Sequence, residues 1–149
     1  MPNRSIYVLN GPNLNLLGIR EPEIYGRDTL SDIEAACRAA AKPHQLEVDF
    51  RQTNSESQMI DWIQEARERA SGVIINAAAL SFTSIGVLDA LQMCKVPIIE
   101  VHLSNIHRRE SFRHHSYVAL AAAGVICGLG AHGYVLAVLH LAKVLGPRA

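Results

Sequence analysis

The chain has 149 residues, 49% hydrophobic and 5% aromatic, and its 14 basic and 14 acidic side chains cancel to zero net charge. That length suits one domain able to bury a core without cross-links. The apolar content excludes a disordered chain, and the balanced charge argues against a dedicated nucleic-acid binder. The three scattered cysteines, Cys37, Cys94 and Cys127, exclude a disulfide-stapled module and fit a reducing, cytoplasmic compartment.

The N-terminal residues lack the pattern of a cleavable targeting signal. Ser5–Leu9 is rich in strand formers, and a long loop follows from Asn10 to Gly26. Ser31–Ala41 reads as a helix with Ile33, Cys37, Ala40 and Ala41 at helical spacing; Ser31 and Glu34 fit a capping box, and Pro43 marks the end. Leu46–Arg51 alternates as a strand does. Ser55–Ala70 is the clearest helix: Met59, Ile60, Ile63, Ala66 and Ala70 share a face, and Ser55 with Gln58 offers a second capping box. Gly72–Ala77 is a buried strand, Ser84–Met93 a helix and Pro97–Val101 another apolar strand. A polar stretch runs from His102 to Tyr117. Gly124–Cys127 and Tyr134–Leu145 read as the last strand and helix.

Val118–Ala142 contains no Asp, Glu, Lys or Arg and is long enough to span a bilayer. Four glycines and two histidines interrupt it, so a buried strand followed by a core helix is the better reading. Apolar strands alternating with helices imply an α/β fold: a five-stranded parallel sheet with helices on both faces, in a flavodoxin-like order. Residues 1–149 read as a single domain. Such sheets bind ligands beyond the carboxyl ends of their strands. The loops to inspect are therefore Asn10–Asp28, Asn76–Ser84 and His102–Tyr117.

The first loop is long for a compact domain, and Gly18 and Gly26 could act as hinges of a lid carrying Arg20 and Tyr25. It has no GxGxxG and no phosphate-binding Gly-Lys-Ser/Thr, which argues against a nucleotide or flavin module. The loop after Asn76 offers hydroxyls, with helix capping the natural role of Ser84. The third holds four of the seven histidines and three arginines. Its histidine spacing matches no standard zinc pattern, so no metal is assigned. Phe112 and Tyr117 alone could stack on bases, so no nucleic acid is assigned either. A small anion held by arginines, with a histidine moving a proton, competes with a merely solvated basic loop. Glu100 and His102 alternate on a strand end, so both face one side. A carboxylate there stabilises the protonated form of a histidine, which is a proton donor.

Leu9–Gly18 with Arg20 and Tyr25-Gly26, the run Ile99-Glu-Val-His-Leu-Ser-Asn ending at Asn105, Arg109 through Tyr117, and Gly124-Val-Ile-Cys-Gly-Leu-Gly together resemble the type II 3-dehydroquinate dehydratases (type II dehydroquinases). The resemblance covers nearly the whole chain. It implies a flavodoxin-like fold and dehydration of 3-dehydroquinate to 3-dehydroshikimate, a small anionic cyclic substrate, without metal or organic cofactor. The setting implied is aromatic biosynthesis through shikimate, or quinate breakdown. It also implies a homo-oligomer, commonly a dodecamer built as a tetramer of trimers.

By the same resemblance Tyr25 is the base that removes the proton next to the ketone. A phenol is mostly protonated at neutral pH, and a nearby guanidinium favours the phenolate; Arg20 matches the residue placed to provide it, and Arg109 matches another cation in that environment. Asn13 matches the residue that orients a water toward the enolate oxygen. His102 matches the acid that protonates the departing hydroxyl, with Glu100 orienting it. Leu103 and Ser104 match positions that hold the substrate carboxylate, and Asn76 and Arg113 match residues that bind ring hydroxyls. Asp89 matches one that reaches a neighbouring subunit's site. Three positions depart from the family. Phe82 stands where it usually has a hydroxyl-binding His, Leu88 where it often has Arg, and the Ala77–Ala79 run replaces a glycine after Asn76. A paralogue dehydrating a related cyclic hydroxy-ketone is the alternative that Phe82 raises.

Overall fold

The computed structural model describes residues 4–19 and 21–147. In β1 (Arg4–Asn10) the side chains alternate between two cores, Ile6 and Val8 on one side and Tyr7 and Leu9 on the other. The same period of two runs through β3 (Gly72–Asn76) and β4 (Ile98–His102), so three central strands are apolar on both faces. β2 (Leu46–Gln52) and β5 (Gly124–Cys127) are the edges. The sheet is parallel throughout, in the order β2-β1-β3-β4-β5. This is the expected flavodoxin-like α/β architecture.

Each face is closed by a helix pair. α2 (Leu30–Ala41) and α6 (His132–Leu145) lie on one side, where Ile33, Cys37, Ala137, Val138 and Leu141 meet Ile6, Val8, Ile74 and Val101. α3 (Glu56–Arg69) and α5 (Ile85–Gln92) lie on the other, with Met59, Ile63, Val87 and Leu91 against Leu9, Val73 and Ile75. Two one-turn helices, α1 (Pro22–Tyr25) and α4 (Leu80–Thr83), belong to the loops at the carboxyl edge.

The caps refine the expected boundaries. α2 starts at Leu30, because Thr29 rather than Ser31 is its N-cap; Thr29 Oγ1 accepts from Asp32 N, and Asp32 returns the bond to Thr29 N. The earlier start adds Leu30 to the side chains packed on the first core. Ser55 caps α3 by accepting from Gln58 N, but the Gln58 side chain accepts from the Thr53 hydroxyl instead of closing a box. α6 begins at His132, two residues before the expected Tyr134.

The apolar tract 118–142 divides into a short 3-10 turn (Val118–Leu120), β5 and α6. No helix of the described residues is long and apolar enough to cross a membrane. β5 is not the buried strand that its composition predicts. As an edge strand it leaves Val125 exposed, with Leu120 and Leu129 exposed nearby in sequence.

From β1 the chain goes outward to β2 and then returns to add β3 on the other side of β1. This reversal places a crevice beyond the ends of β1 and β3. Asn10 and Asn76 face each other there in register.

Candidate active site

A small cleft of about 70 Å³ occupies that crevice. Its wall includes Asn13, Tyr25, Asn76, Phe82, His102, Leu103, Ser104, Arg109 and Arg113. Residues from three distant loops are thus brought together. Glu100 lies directly behind His102. Asp89 does not line the cleft; it is on the exposed side of α5. Arg20 lies outside the described residues.

The first wall comes from the loop after β1. Gly11 N donates to Asn76 O at 2.8 Å, joining the ends of β1 and β3. A Cβ on Gly11 would stand 2.3 Å from the Ala77 carbonyl oxygen, so only glycine fits this approach. Asn13 follows with φ 70°, a left-handed conformation that Asn tolerates better than most residues. Its backbone N–H donates to Asn54 Oδ1 at 3.0 Å, and Gln52 Nε2 donates to Gly11 O at 3.1 Å. The segment after β2, which looks uninformative in sequence, therefore braces the loop. Gly18 and Gly26 take φ of 90° and 84°, left-handed turns on either side of the segment that carries α1 and Tyr25. The Arg109 guanidinium carbon sits 5.1 Å from the centre of the Tyr25 ring, close enough for cation–π attraction.

The second wall belongs to β4 and its loop. Glu100 and His102 share the face of Ile98, as their spacing predicts, and Glu100 Oε2 is hydrogen-bonded to His102 Nε2. Glu100 is fully buried and His102 is buried except toward the cleft. Ser116 Oγ donates to the same Oε2 at 2.7 Å. Arg109 reaches Ser104 Oγ at 3.4 Å, and His114 Nε2 approaches Arg109 O at 2.8 Å. Arg113 pairs with Glu110 at 2.5 Å, holding that carboxyl below its ordinary range. The same guanidinium lies 5.8 Å from the Phe82 ring centre.

The third wall is the turn after β3. Ala78 has φ 53°, a strained conformation for alanine, in the run that replaces the expected glycine. Phe82, in α4, stacks on the His102 ring with centroids 5.9 Å apart and planes at 19°. Asn76 is held from beneath. Its Nδ2 donates to Tyr134 Oη at 2.8 Å, Tyr134 Oη donates to Asn10 Oδ1 at 2.7 Å, and Asn76 Oδ1 accepts from Ala78 N. Burial pushes the Tyr134 phenol well above its ordinary range, so it stays a neutral donor. One amide hydrogen and one lone pair of Asn76 remain for a ligand.

Sequence reasoning missed Tyr134, Ser116, Gln52 and Asn54. The register of β1 beside β3 pairs Asn10 with Asn76, and nothing local links either to a tyrosine in the last helix.

The arrangement offers a cationic rim, a phenol, a carboxamide and a buried carboxylate–imidazole pair around one small volume. Such a set can bind an anion, take a proton on one side and deliver one on the other. Comparison with known proteins identifies the family. The family model described as Dehydroquinase class II matches residues 4–142. A 3-dehydroquinate dehydratase of Methylobacterium radiotolerans is 58% identical over 146 residues, covering 98% of each chain. The 3-dehydroquinate dehydratase 2 of Pseudomonas putida is 55% identical, covering 97% of each. The crystal structure of type II dehydroquinase from Propionibacterium acnes superposes with a TM-score of 0.90 at 48% identity, covering 96% of this chain and 98% of that one. With the family model spanning all five strands and relatives matching almost end to end, the chain belongs to the class II dehydroquinases.

Proposed function

We propose that the chain dehydrates 3-dehydroquinate to 3-dehydroshikimate through an enolate, without metal or organic cofactor, in the shikimate or quinate pathway. The observation that carries this reading is the Glu100–His102 pair set into the wall of a cleft that also holds Tyr25 beside the Arg109 cation. Tyr25, as phenolate, takes the proton from the carbon next to the ketone. Arg109, over the Tyr25 ring, is assigned to favour the phenolate, and Arg20 is assigned the same task. The electron pair moves onto the carbonyl oxygen, where Asn13 orients a water that donates to it. Protonated His102 then gives its proton to the hydroxyl one carbon further on. The enolate collapses, the C–O bond breaks, and water leaves. Because Nε2 is committed to Glu100, Nδ1 is the nitrogen that transfers the proton.

Leu103 and Ser104 are assigned to the substrate carboxylate, and Asn76 and Arg113 to ring hydroxyls. Asp89, exposed on α5, is assigned to a neighbour's site in a homo-oligomer, taken to be a dodecamer of four trimers. Exposed apolar Leu120, Val125 and Leu129 support burial in an assembly.

Purified protein mixed with 3-dehydroquinate in the presence of a chelator should generate the ultraviolet absorbance of the conjugated enone. No turnover would reject the reading.

Phe82 bears on affinity. It lines the cleft between His102 and Arg113 and presents no polar atom to a ring hydroxyl. A hydroxyl left unpaired on binding costs roughly 1–3 kcal/mol. Phe82→His should therefore lower KM for 3-dehydroquinate by about 5–150-fold, with a smaller change in kcat. An unchanged KM would remove the affinity argument. A wild type that prefers a related hydroxy-ketone over 3-dehydroquinate would favour the paralogue instead.

A further inference from the structure

We propose that Ser116 is a positioning residue for His102, acting through Glu100; the inference rests on the proposed acid role of His102. Glu100 is fully buried, and both of its donors converge on one oxygen. His102 Nε2 and Ser116 Oγ meet Oε2, whereas Oε1 has no hydrogen-bond partner among the described residues. Toward an ionised carboxylate a hydroxyl can only donate. With His102 as sole donor, the carboxylate could turn about its last bond and carry the imidazole with it. A second donor on the same oxygen removes that freedom.

Ser116 is itself anchored. It is buried, and the next residue, Tyr117, donates its backbone N–H to Ser81 O in α4 at 2.8 Å. The neighbouring α4 residue, Phe82, is the one stacked on the His102 ring. The imidazole is therefore oriented by two contacts that both trace to the junction of α4 with the 116–117 segment. Ser116 also ends the loop that carries Arg109 and Arg113. The acid and the cationic rim thus share one attachment. Ser116 moves no proton; its bond keeps the carboxylate oxygen on Nε2. Groups that orient a working imidazole in this way typically matter for rate more than for binding.

The test compares wild type, Ser116→Ala, Ser116→Thr, Glu100→Gln and the Ser116→Ala/Glu100→Gln pair. Each is followed by steady-state kinetics and thermal unfolding. Histidine-ring ¹⁵N NMR is added for the wild type and Ser116→Ala. Ser116→Ala should lower kcat about tenfold and leave KM within about twofold. Ser116→Thr keeps the hydroxyl and should restore most of the rate. In the Glu100→Gln background the alanine should add little, because the carboxylate through which Ser116 acts is gone. The His102 ring signals should shift or broaden in Ser116→Ala. A lowered melting temperature with unchanged kcat, or a kinetic effect that multiplies fully with Glu100→Gln, would assign Ser116 a purely structural role and overturn the proposal. Unchanged His102 signals would do the same. The NMR comparison does not depend on the reaction: a wild type inactive on 3-dehydroquinate rejects the proposed function, while the ring signals still decide the role of Ser116.

Discussion

Tyr25→Phe and His102→Ala should each reduce kcat for 3-dehydroquinate by about 10²–10⁴-fold, the span typical of a removed general base or acid. Tyr25→Phe deletes one oxygen and leaves the ring beneath Arg109, so the cation–π contact and the cleft wall persist. The loss should fall on kcat with KM little changed, because the phenol oxygen acts on the proton being removed. His102→Ala also deletes the partner of a buried carboxylate. It leaves Glu100 accepting from Ser116 and takes away the ring on which Phe82 stacks. A modest loss of stability should accompany the loss of rate in His102→Ala. Steady-state assays and thermal unfolding on the same samples check both. Either variant retaining more than about a tenth of wild-type kcat would remove that residue from the acid–base pair.

Among the glycines of the described residues, Gly11→Ala should be the most damaging change. The added Cβ would meet the Ala77 carbonyl oxygen at 2.3 Å, its carbonyl carbon at 2.6 Å and its Cα at 3.1 Å, all of them backbone atoms. A side chain could rotate away from such a contact. Here the ends of β1 and β3 must separate, which breaks the bond from Gly11 N to Asn76 O. Overpacking of this kind costs roughly 1–3 kcal/mol, occasionally more, and Gly11→Ala should lie at the upper end. The displacement would also reach Asn13 and Asn76 on the cleft wall, so activity should fall beyond what the unfolded fraction explains. Gly124→Ala is the control: nothing lies within 4 Å of its added Cβ. Urea unfolding of the two variants gives the comparison. An unfolding midpoint for Gly11→Ala equal to that of the control would show that the Ala77 turn yields.

These two effects lie at different depths of the sequence. Tyr25 and His102 are readable because long loop motifs carry them in order, and because Glu100 and His102 alternate at a strand end. A strand period of two is a local property, so their common face follows without any knowledge of the fold. Gly11 is readable as a glycine in a functional loop. Its contact with Ala77 follows only once β3 is paired beside β1. Caps show the same limit on a smaller scale. Thr29-x-x-Asp32 and Ser31-x-x-Glu34 both place a hydroxyl three residues before an acid. The structure uses the first, which lets Leu30 join the core; that gain depends on what α2 packs against.

The zero net charge and apolar surplus with which the sequence opens are now located. The charges cancel over the chain, yet Arg109 and Arg113 gather at one cleft, and the apolar residues line a sheet buried on both faces. By itself the sequence determined the alternation of strands and helices, the parallel sheet, the loops that carry chemistry and the family. The first three depend on spacing along the chain, and the family on the resemblance of whole loop motifs. Only the tertiary structure decided which polar groups hold the active ones. Tyr134 reaches Asn10 across 124 positions to fix Asn76, and Ser116 meets Glu100 across 16. Such bonds form between groups that have no local preference for each other. They exist because strand order and helix packing bring them into a space without water, where an unpaired polar group is expensive and the available partner is taken.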